Sequence, residues 1–309
     1  MRVLVSAKTP LRGNTLYKPI DLNKNSELVG GNILVTGGTG TFGKSFVKFC
    51  LDKLSPRRLV IYSRDEMKQY EMAKDFPEKR YPCLRYFVGD VRDLERLKLA
   101  FRGVDYIVHA AAMKHVTAAE YNPTECVRTN IYGAENVVQA AMANEVRKVI
   151  ALSTDKASNP INLYGASKLA SDKIFINANG LSGDLGTRFS VVRYGNVLAS
   201  RGSVIPLFKK LKEEGSTTVP VTDKRMTRFV IKVDDGVSFV INSFDLMQGG
   251  EVFVPELPSI RIVDLVSAML PKTSIEIVGI RPGEKLHETM ISKDEGRMVL
   301  KYDDHYIIE

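Results

Sequence analysis

From Asn32 onward, short apolar runs alternate with amphipathic stretches, and this alternation constrains the fold more than any other feature of the chain. NILVT (32–36), RLVIYS (58–63), LRYFVGD (84–90), DYIVHAAA (105–112), KVIALSTD (148–155) and RFSVVRYGNV (188–197) read as buried strands. Helix-like segments lie between them, over 43–54, 65–75, 93–101, 120–144 and 162–180. Strand and helix in turn predict right-handed βαβ units, and so an α/β protein with a doubly wound parallel sheet covered on both faces. After Gly195 the rhythm loosens. PLFKKLKEEG and DDGVSFVINSF read as helices and GEVFVPE as a strand, which predicts a smaller C-terminal cap. Residues 1–31 match neither pattern and read as an N-terminal extension.

Several function classes drop out on composition. The net charge of +8 invites a nucleic-acid partner, but the basic residues are scattered among acidic ones, with no basic run or recognition motif. A phosphorylated small molecule suits the charge better. No apolar run is long enough for a membrane-spanning helix, and the N-terminus has no signal-peptide pattern. Cys50, Cys83 and Cys126 lie far apart, without disulfide or metal-ligand spacing. The expectation is a reduced, cytoplasmic protein with no metal, no nucleic-acid partner and no membrane association.

The first strand runs into a glycine-rich turn and then a helix. Gly37, Gly40 and Gly43 follow a G-x-x-G-x-x-G spacing. Missing side chains let the backbone turn tightly and approach a pyrophosphate, whose charge suits a helix N-terminus. Glycine also serves a strand-to-helix turn for steric reasons alone. At the first turn of a βαβ series, the dinucleotide reading prevails.

The end of the second strand, IYSRDEMK, bears on which nicotinamide cofactor is held. Asp65 nearly satisfies the acidic position that favours a free ribose hydroxyl. Ser63, Arg64 and Lys68 suit a 2′-phosphate instead, and the reading favours NADP. Asp90 and Val91, after the third strand, face an adenine edge in this arrangement. His109 and His115 have the right chemistry for a base, but no carboxylate partner is evident and His109 falls inside a strand.

In STDKASNPINLYGASK, Tyr164 and Lys168 fall one helical turn apart on one face. An ammonium and an oxidised nicotinamide both favour the phenolate, which can take an alcohol proton as hydride leaves. Asp155 and Lys156 stand just upstream, an acid and a base that simple dehydrogenation does not need.

Together TGGTGTFG, YSRDE, GDVRD, HAAAMKHV and STDKA…NLYGASK resemble the extended short-chain dehydrogenase/reductase family, whose fold is Rossmann-like. With RYGNVLASRGSVIPLF, RMTRF and RPGEKLHE, the resemblance narrows to its C5-inverting UDP-N-acetylglucosamine 4,6-dehydratases of pseudaminic acid biosynthesis, from about residue 32 to the C-terminus. It implies an NADP-binding domain over 32–195 and a mainly substrate-binding cap over 196–309, with the chain returning to the sheet. It implies that Thr154, Asp155, Lys156, Tyr164 and Lys168 are catalytic. Thr41, Phe42, Ala110, Lys114 and Val197 join the glycines and the residues named above around NADP. Lys114, Asn196, Val204, Arg228, Arg281 and Glu284 would hold UDP-N-acetylglucosamine, and the protein would be a homo-oligomeric hydro-lyase. The chain is shorter than such relatives at its C-terminus and longer before its first strand.

The resemblance explains the extra acid and base. Oxidation at C4 acidifies the C5 hydrogen; Lys156, if neutral, takes that proton, and a protonated Asp155 helps the C6 hydroxyl leave as water. Relatives that retain C5 configuration carry Asp-Glu here. Desolvation, Lys168 and the charge of the oxidised nicotinamide are expected to push Lys156 toward neutrality, and the chain must bend for adjacent residues to reach one sugar. Two other readings compete: a UDP-sugar 4-epimerase or multi-epimerase, and a non-catalytic cofactor sensor on the same fold.

Overall fold

A computed structural model describes residues 26–183, 186–198, 200 and 203–309. Most of the expected N-terminal extension, up to residue 25, lies outside the described residues. Six parallel strands, β1 (Asn32–Thr36), β2 (Arg58–Ser63), β3 (Leu84–Val88), β4 (Tyr106–His109), β5 (Lys148–Thr154) and β6 (Arg188–Tyr194), form the heart of the molecule in the order β3-β2-β1-β4-β5-β6. Chain order reverses between β1 and β4, so the loops after these strands open a crevice where such sheets bind ligands.

The helices come where the amphipathic stretches predict them, with one correction. α1 (Thr41–Phe49), α2 (Glu66–Asp75) and α3 (Leu94–Ala100) follow the first three strands. The stretch 120–144 is not continuous. It divides into α4 (Val116–Tyr121), α5 (Pro123–Val127), a wider turn over Arg128–Tyr132 and α6 (Gly133–Ala143). Pro123 starts a helix well but cannot continue one, since its ring lacks the N–H and displaces the preceding turn. α7 (Leu163–Ser182) is capped by Asn162, whose side chain accepts from Gly165 N.

Side chains alternate across the sheet, as the strand period demands. Ile33, Val35, Leu59 and Ile61 pack with α1 on one face. Leu34, Val60 and Ile107 pack with α3, α6 and α7 on the other.

Beyond β6 the chain makes β7 (Asn196–Val197), α8 (Val204–Glu213), β8 (Thr218–Val221), β9 (Thr227–Ile231) and α9 (Val233–Leu246). It then makes β10 (Val252–Pro255), β11 (Ser259–Arg261), α10 (Ile262–Met269), β12 (Ser274–Ile277), β13 (Val299–Lys301) and β14 (His305–Ile308). β10 extends the main sheet parallel to β6, and β14 and β13 complete nine strands in antiparallel fashion. The remaining strands form two small sheets, β11-β9-β7 and β12-β8. Phe208, Val219, Val221, Met226, Ile262 and Val266 make a separate small core there. Val204, Val221 and Leu265 from this cap line the same cavity as the glycine-rich turn.

No described helix is long and apolar enough to cross a membrane. Among the described residues, no group of His, Cys, Asp and Glu is arranged to hold a metal ion.

Candidate active site

A cavity of about 1360 Å³ runs from the carboxyl ends of β1, β2 and β4 to the cap. It exceeds the ~300–1,000 Å³ usual for one small ligand, and has room for a dinucleotide beside a second nucleotide.

One end is a backbone cradle. Gly37 has φ +65°, and a Cβ there would lie 2.9 Å from the Ala111 backbone; a Cβ on Gly43 would strike the Gly38 backbone. Both positions therefore require glycine. Gly40 precedes α1, whose first turn carries no acidic residue. The exposed N–H groups and the helix dipole favour an anion at this point. Thr41 and Phe42 line the cavity beside these glycines. The site thus fits a dinucleotide pyrophosphate by shape and by polarity.

At the end of β2, Ser63, Arg64, Asp65 and Lys68 all line the cavity. Asp65 caps α2 by accepting from Lys68 N at 3.0 Å, and its Oδ2 pairs with Lys68 Nζ at 2.5 Å. These contacts hold its carboxyl below the usual range. Ser63 is buried, and its hydroxyl accepts from Gln69 Nε2 at 3.0 Å. Lys68 is thus committed to Asp65, while Arg64 is exposed. Asp90 is gripped by Arg92, with Nη2–Oδ2 at 2.7 Å. Val91, Ala110 and Val197 complete the apolar wall nearby.

The reacting end is built where β5 stops. Thr154 is the last residue of β5, and a single 3-10 turn, Asp155–Ala157, follows. That turn supplies a bend but does not bring both side chains to one cavity. It sends Lys156 to the cavity wall and Asp155 inward, so Asp155 is 0% exposed and does not line the cavity. Asp155 Oδ1 accepts from Thr154 Oγ1 at 2.9 Å and from Lys156 Nζ at 3.0 Å. Lys156 Nζ also donates to Asn196 Oδ1 at 3.2 Å and lies 3.2 Å from Glu288 Oε1.

Here an expectation is overturned. Burial does work against the charge on Lys156, but Asp155 and Glu288 outweigh it and raise its pKa above that of an ordinary lysine. At rest the group is an ammonium. Glu288 closes the RPGEKLHE stretch, and nothing in the sequence marks it as the partner of Lys156 that it becomes in the fold.

Tyr164 and Lys168 also line the cavity. Burial pushes the Tyr164 phenol up to about 12, and Lys156 and a hydrogen bond with Thr154 only partly oppose it. The phenol is therefore protonated at rest. Lys168 is buried and its pKa is lowered by desolvation, with Asp172, one helical turn along α7, countering. Asp172 Oδ2 in turn accepts from Ser153 Oγ at 2.6 Å and faces Arg193 Nη2 at 3.7 Å. Arg193, 1% exposed, pairs beyond with Glu295 at 2.9 Å.

The residues expected around a sugar nucleotide come to the same cavity as the cradle. Lys114, Asn196, Val204, Arg228, Arg281 and Glu284 all line the cavity. Burial lowers the Lys114 pKa. Arg228 donates to Thr227 O at 2.7 Å and lies 3.7 Å from Glu284. His115 lines the cavity, whereas His109 does not. His109 is 1% exposed, bonds to Thr36 Oγ1 at 2.9 Å and is driven down to about 3 by burial, so it stays neutral.

Fold and cavity together define an extended short-chain dehydrogenase/reductase. Residues 33–309 match the family described as "Polysaccharide biosynthesis protein", and the chain belongs to that family. It is 58% identical to the UDP-N-acetylglucosamine 4,6-dehydratase (inverting) of Campylobacter jejuni subsp. jejuni serotype O:2, across 90% of this chain and 82% of that protein. Among solved structures, Pen from Bacillus thuringiensis matches with a TM-score of 0.87 and 38% identity, over 91% of this chain and 88% of that one. DesIV of Streptomyces venezuelae, a dTDP-glucose 4,6-dehydratase with NAD and TYD bound, matches with a TM-score of 0.74 and 25% identity. That match covers 86% of this chain and 90% of DesIV.

Proposed function

We propose that this protein is a UDP-N-acetylglucosamine 4,6-dehydratase that inverts C5, a hydro-lyase of surface-polysaccharide or glycoprotein sugar synthesis, with pseudaminic acid as the expected end point. One observation carries the reading. Lys156 stands beside Asp155 at the end of β5, with Tyr164 and Lys168 on the same cavity, in a chain 58% identical to a protein of that activity.

A bound nicotinamide would accept a hydride from C4 and return it to C6, so no external reductant is consumed. The chain's own residues supply the rest. Tyr164, as the phenolate that Lys168 and an oxidised nicotinamide would favour, takes the C4 hydroxyl proton; Lys156 takes the C5 proton, and a proton from Asp155 leaves with the C6 hydroxyl. A proton then returns to C5 from the opposite face, which inverts that centre. Because Lys156 and Asp155 share one proton at 3.0 Å, its transfer to the carboxylate produces the amine and the acid together. Asp155 sits behind the cavity wall, and Thr154, bonded to both Asp155 and Tyr164, connects it to the reacting face. Lys168 holds positive charge near the phenol and the cofactor. Arg228 and Arg281 suit the pyrophosphate of the substrate, Asn196 and Glu284 its hydroxyls, and Lys114 and Val204 the space between.

The cofactor reading is NADP, with Arg64 as the group that meets the 2′-phosphate. The commitment of Lys68 to Asp65 supports giving Arg64 that role. We also infer a homo-oligomer, as the family resemblance implies.

A 4-epimerase has no use for Asp155 and Lys156, and the two activities separate by mass. Incubation with UDP-N-acetylglucosamine should give a product lighter by one water, with no net change in nicotinamide oxidation state. A product of unchanged mass would identify an epimerase.

A further inference from the structure

Glu288 takes no part in the chemistry above, yet it is 8% exposed and its Oε1 lies 3.2 Å from Lys156 Nζ. Its other oxygen has no hydrogen-bond partner among the described residues, and the nearer ammonium on that side is Lys285, 3.8 Å away. Lys285 donates to Ser158 O at 2.7 Å, so its charge is directed elsewhere. Lys156 Nζ therefore faces three acceptor oxygens: it donates to Asp155 Oδ1 and Asn196 Oδ1 and forms an ion pair with Glu288 Oε1.

Two of those acceptors are carboxylates, and the dehydration uses only one. When Asp155 carries a proton in order to release the C6 hydroxyl, Lys156 loses that counterion. A nitrogen that then takes the C5 proton becomes an ammonium in a largely buried place, which is costly without a second negative charge.

We propose that Glu288 is the positioning residue that provides this standing charge, orienting the Lys156 amine and stabilising the ammonium it becomes. The inference rests on the dehydratase reading. In the step itself the C5–H bond breaks, the proton goes to Lys156 Nζ, and the electron pair passes into the C4 ketone. Asp155 gives its proton to the departing C6 hydroxyl. Glu288 neither gives nor takes a proton in this step. The groups around Lys156 are Thr154 and Asp155 from its own turn, Tyr164 from α7, Asn196 from β7, and Glu288 and Lys285 from the C-terminal segment. Within that set, Glu288 is the carboxylate the chemistry leaves charged.

The test uses Glu288→Gln in the whole protein, with UDP-N-acetylglucosamine in deuterated water. C5 deuteration and water loss should slow by about tenfold or more, the effect of losing one close charge. Reduced-nicotinamide absorbance should build up during turnover, because oxidation at C4 precedes the impaired step. The alkaline limb of the pH–rate profile, where the Lys156–Asp155 pair loses the one proton it shares, should move down by about one pH unit or more. Glu288→Asp keeps the charge at shorter reach and should fall between the two proteins on all three readouts. A Glu288→Gln variant that slows with its limb unmoved and no reduced cofactor accumulating would overturn the proposal, as would wild-type behaviour. If that variant does not fold, Glu288→Asp against wild type carries the test, and an unmoved limb there overturns it. Failure of the wild-type protein itself to exchange C5 would instead sink the dehydratase reading.

Discussion

Asp155 and Lys156, adjacent in the chain, bring their charged groups to 3.0 Å because β5 gives way to a 3-10 turn at that point. On a continuing strand their side chains would point to opposite faces. The turn makes a proton-sharing pair out of neighbours, and sets one member in the cavity wall and the other behind it.

Lys156→Ala should abolish C5 proton exchange and leave cofactor binding intact, because the cradle lies on β1 and β2. It also leaves Asp155 and Glu288 buried without their ammonium, for an expected stability loss of about 3 kcal/mol. Solvent-deuterium incorporation, cofactor titration and denaturant unfolding check the three parts. Rapid C5 exchange by the variant would refute the base assignment.

Arg64→Ala should weaken NADP by roughly ten- to a hundredfold, the scale of a charge-assisted contact to phosphate, with little effect on NAD. Fluorescence titration with both cofactors decides it. Equal losses would show that Arg64 does not read the 2′-phosphate.

Gly165, in the first turn of α7, backs directly onto the turn that carries Lys156: a Cβ there would collide with the Lys156 carbonyl oxygen. That contact is backbone and cannot rotate away. Gly165→Ala should therefore displace Lys156 and cut turnover by more than about tenfold, on the principle that small misplacement of a reacting group is expensive. Cofactor affinity should stay close to wild type. A fully active variant would show that the position of this turn is not critical.

The ion pair of buried Arg193 with half-buried Glu295 predicts a pH response. Burial opposes the charge on Glu295, but Arg193 and the Ser292 contacts prevail and hold its carboxyl below the ordinary glutamate range. A folded-state pKa below the unfolded value means stability that is present above the unfolded pKa and lost as pH falls through the folded one. Glu295→Gln should flatten that acid limb of the stability curve, measured by urea unfolding at stepped pH. Asp172 acts in the opposite sense: burial raises its pKa, so its contribution is present at low pH and lost as pH rises through the folded value.

Much of this was legible in the sequence because it rests on local rules. Strand ends at Asn32, Arg58, Leu84 and Lys148 follow apolar runs bounded by polar residues, and Gly37 and Gly43 are required by backbone geometry. The placement of nearly every expected cavity residue follows from one topological fact, that the loops after parallel strands share an edge. Long-range pairing was not legible. Glu288 sits in an irregular segment whose course is set by packing, so nothing local marks it as the partner of Lys156. Without it, desolvation suggested a neutral lysine, and the structure gives an ammonium. Arg193 did leave a signal: a charge within the apolar strand RFSVVRY must be paired, and buried Asp172 and half-buried Glu295 are its partners. The break at Pro123 was written in the residue itself.

The most direct test of the central claim is an NMR time course of the protein with UDP-N-acetylglucosamine in deuterated water. The account predicts a 4-keto-6-deoxy product whose C5 is both inverted and deuterated, formed without added reductant. A product that keeps its 6-hydroxyl, or loses it with C5 configuration retained, would contradict the account.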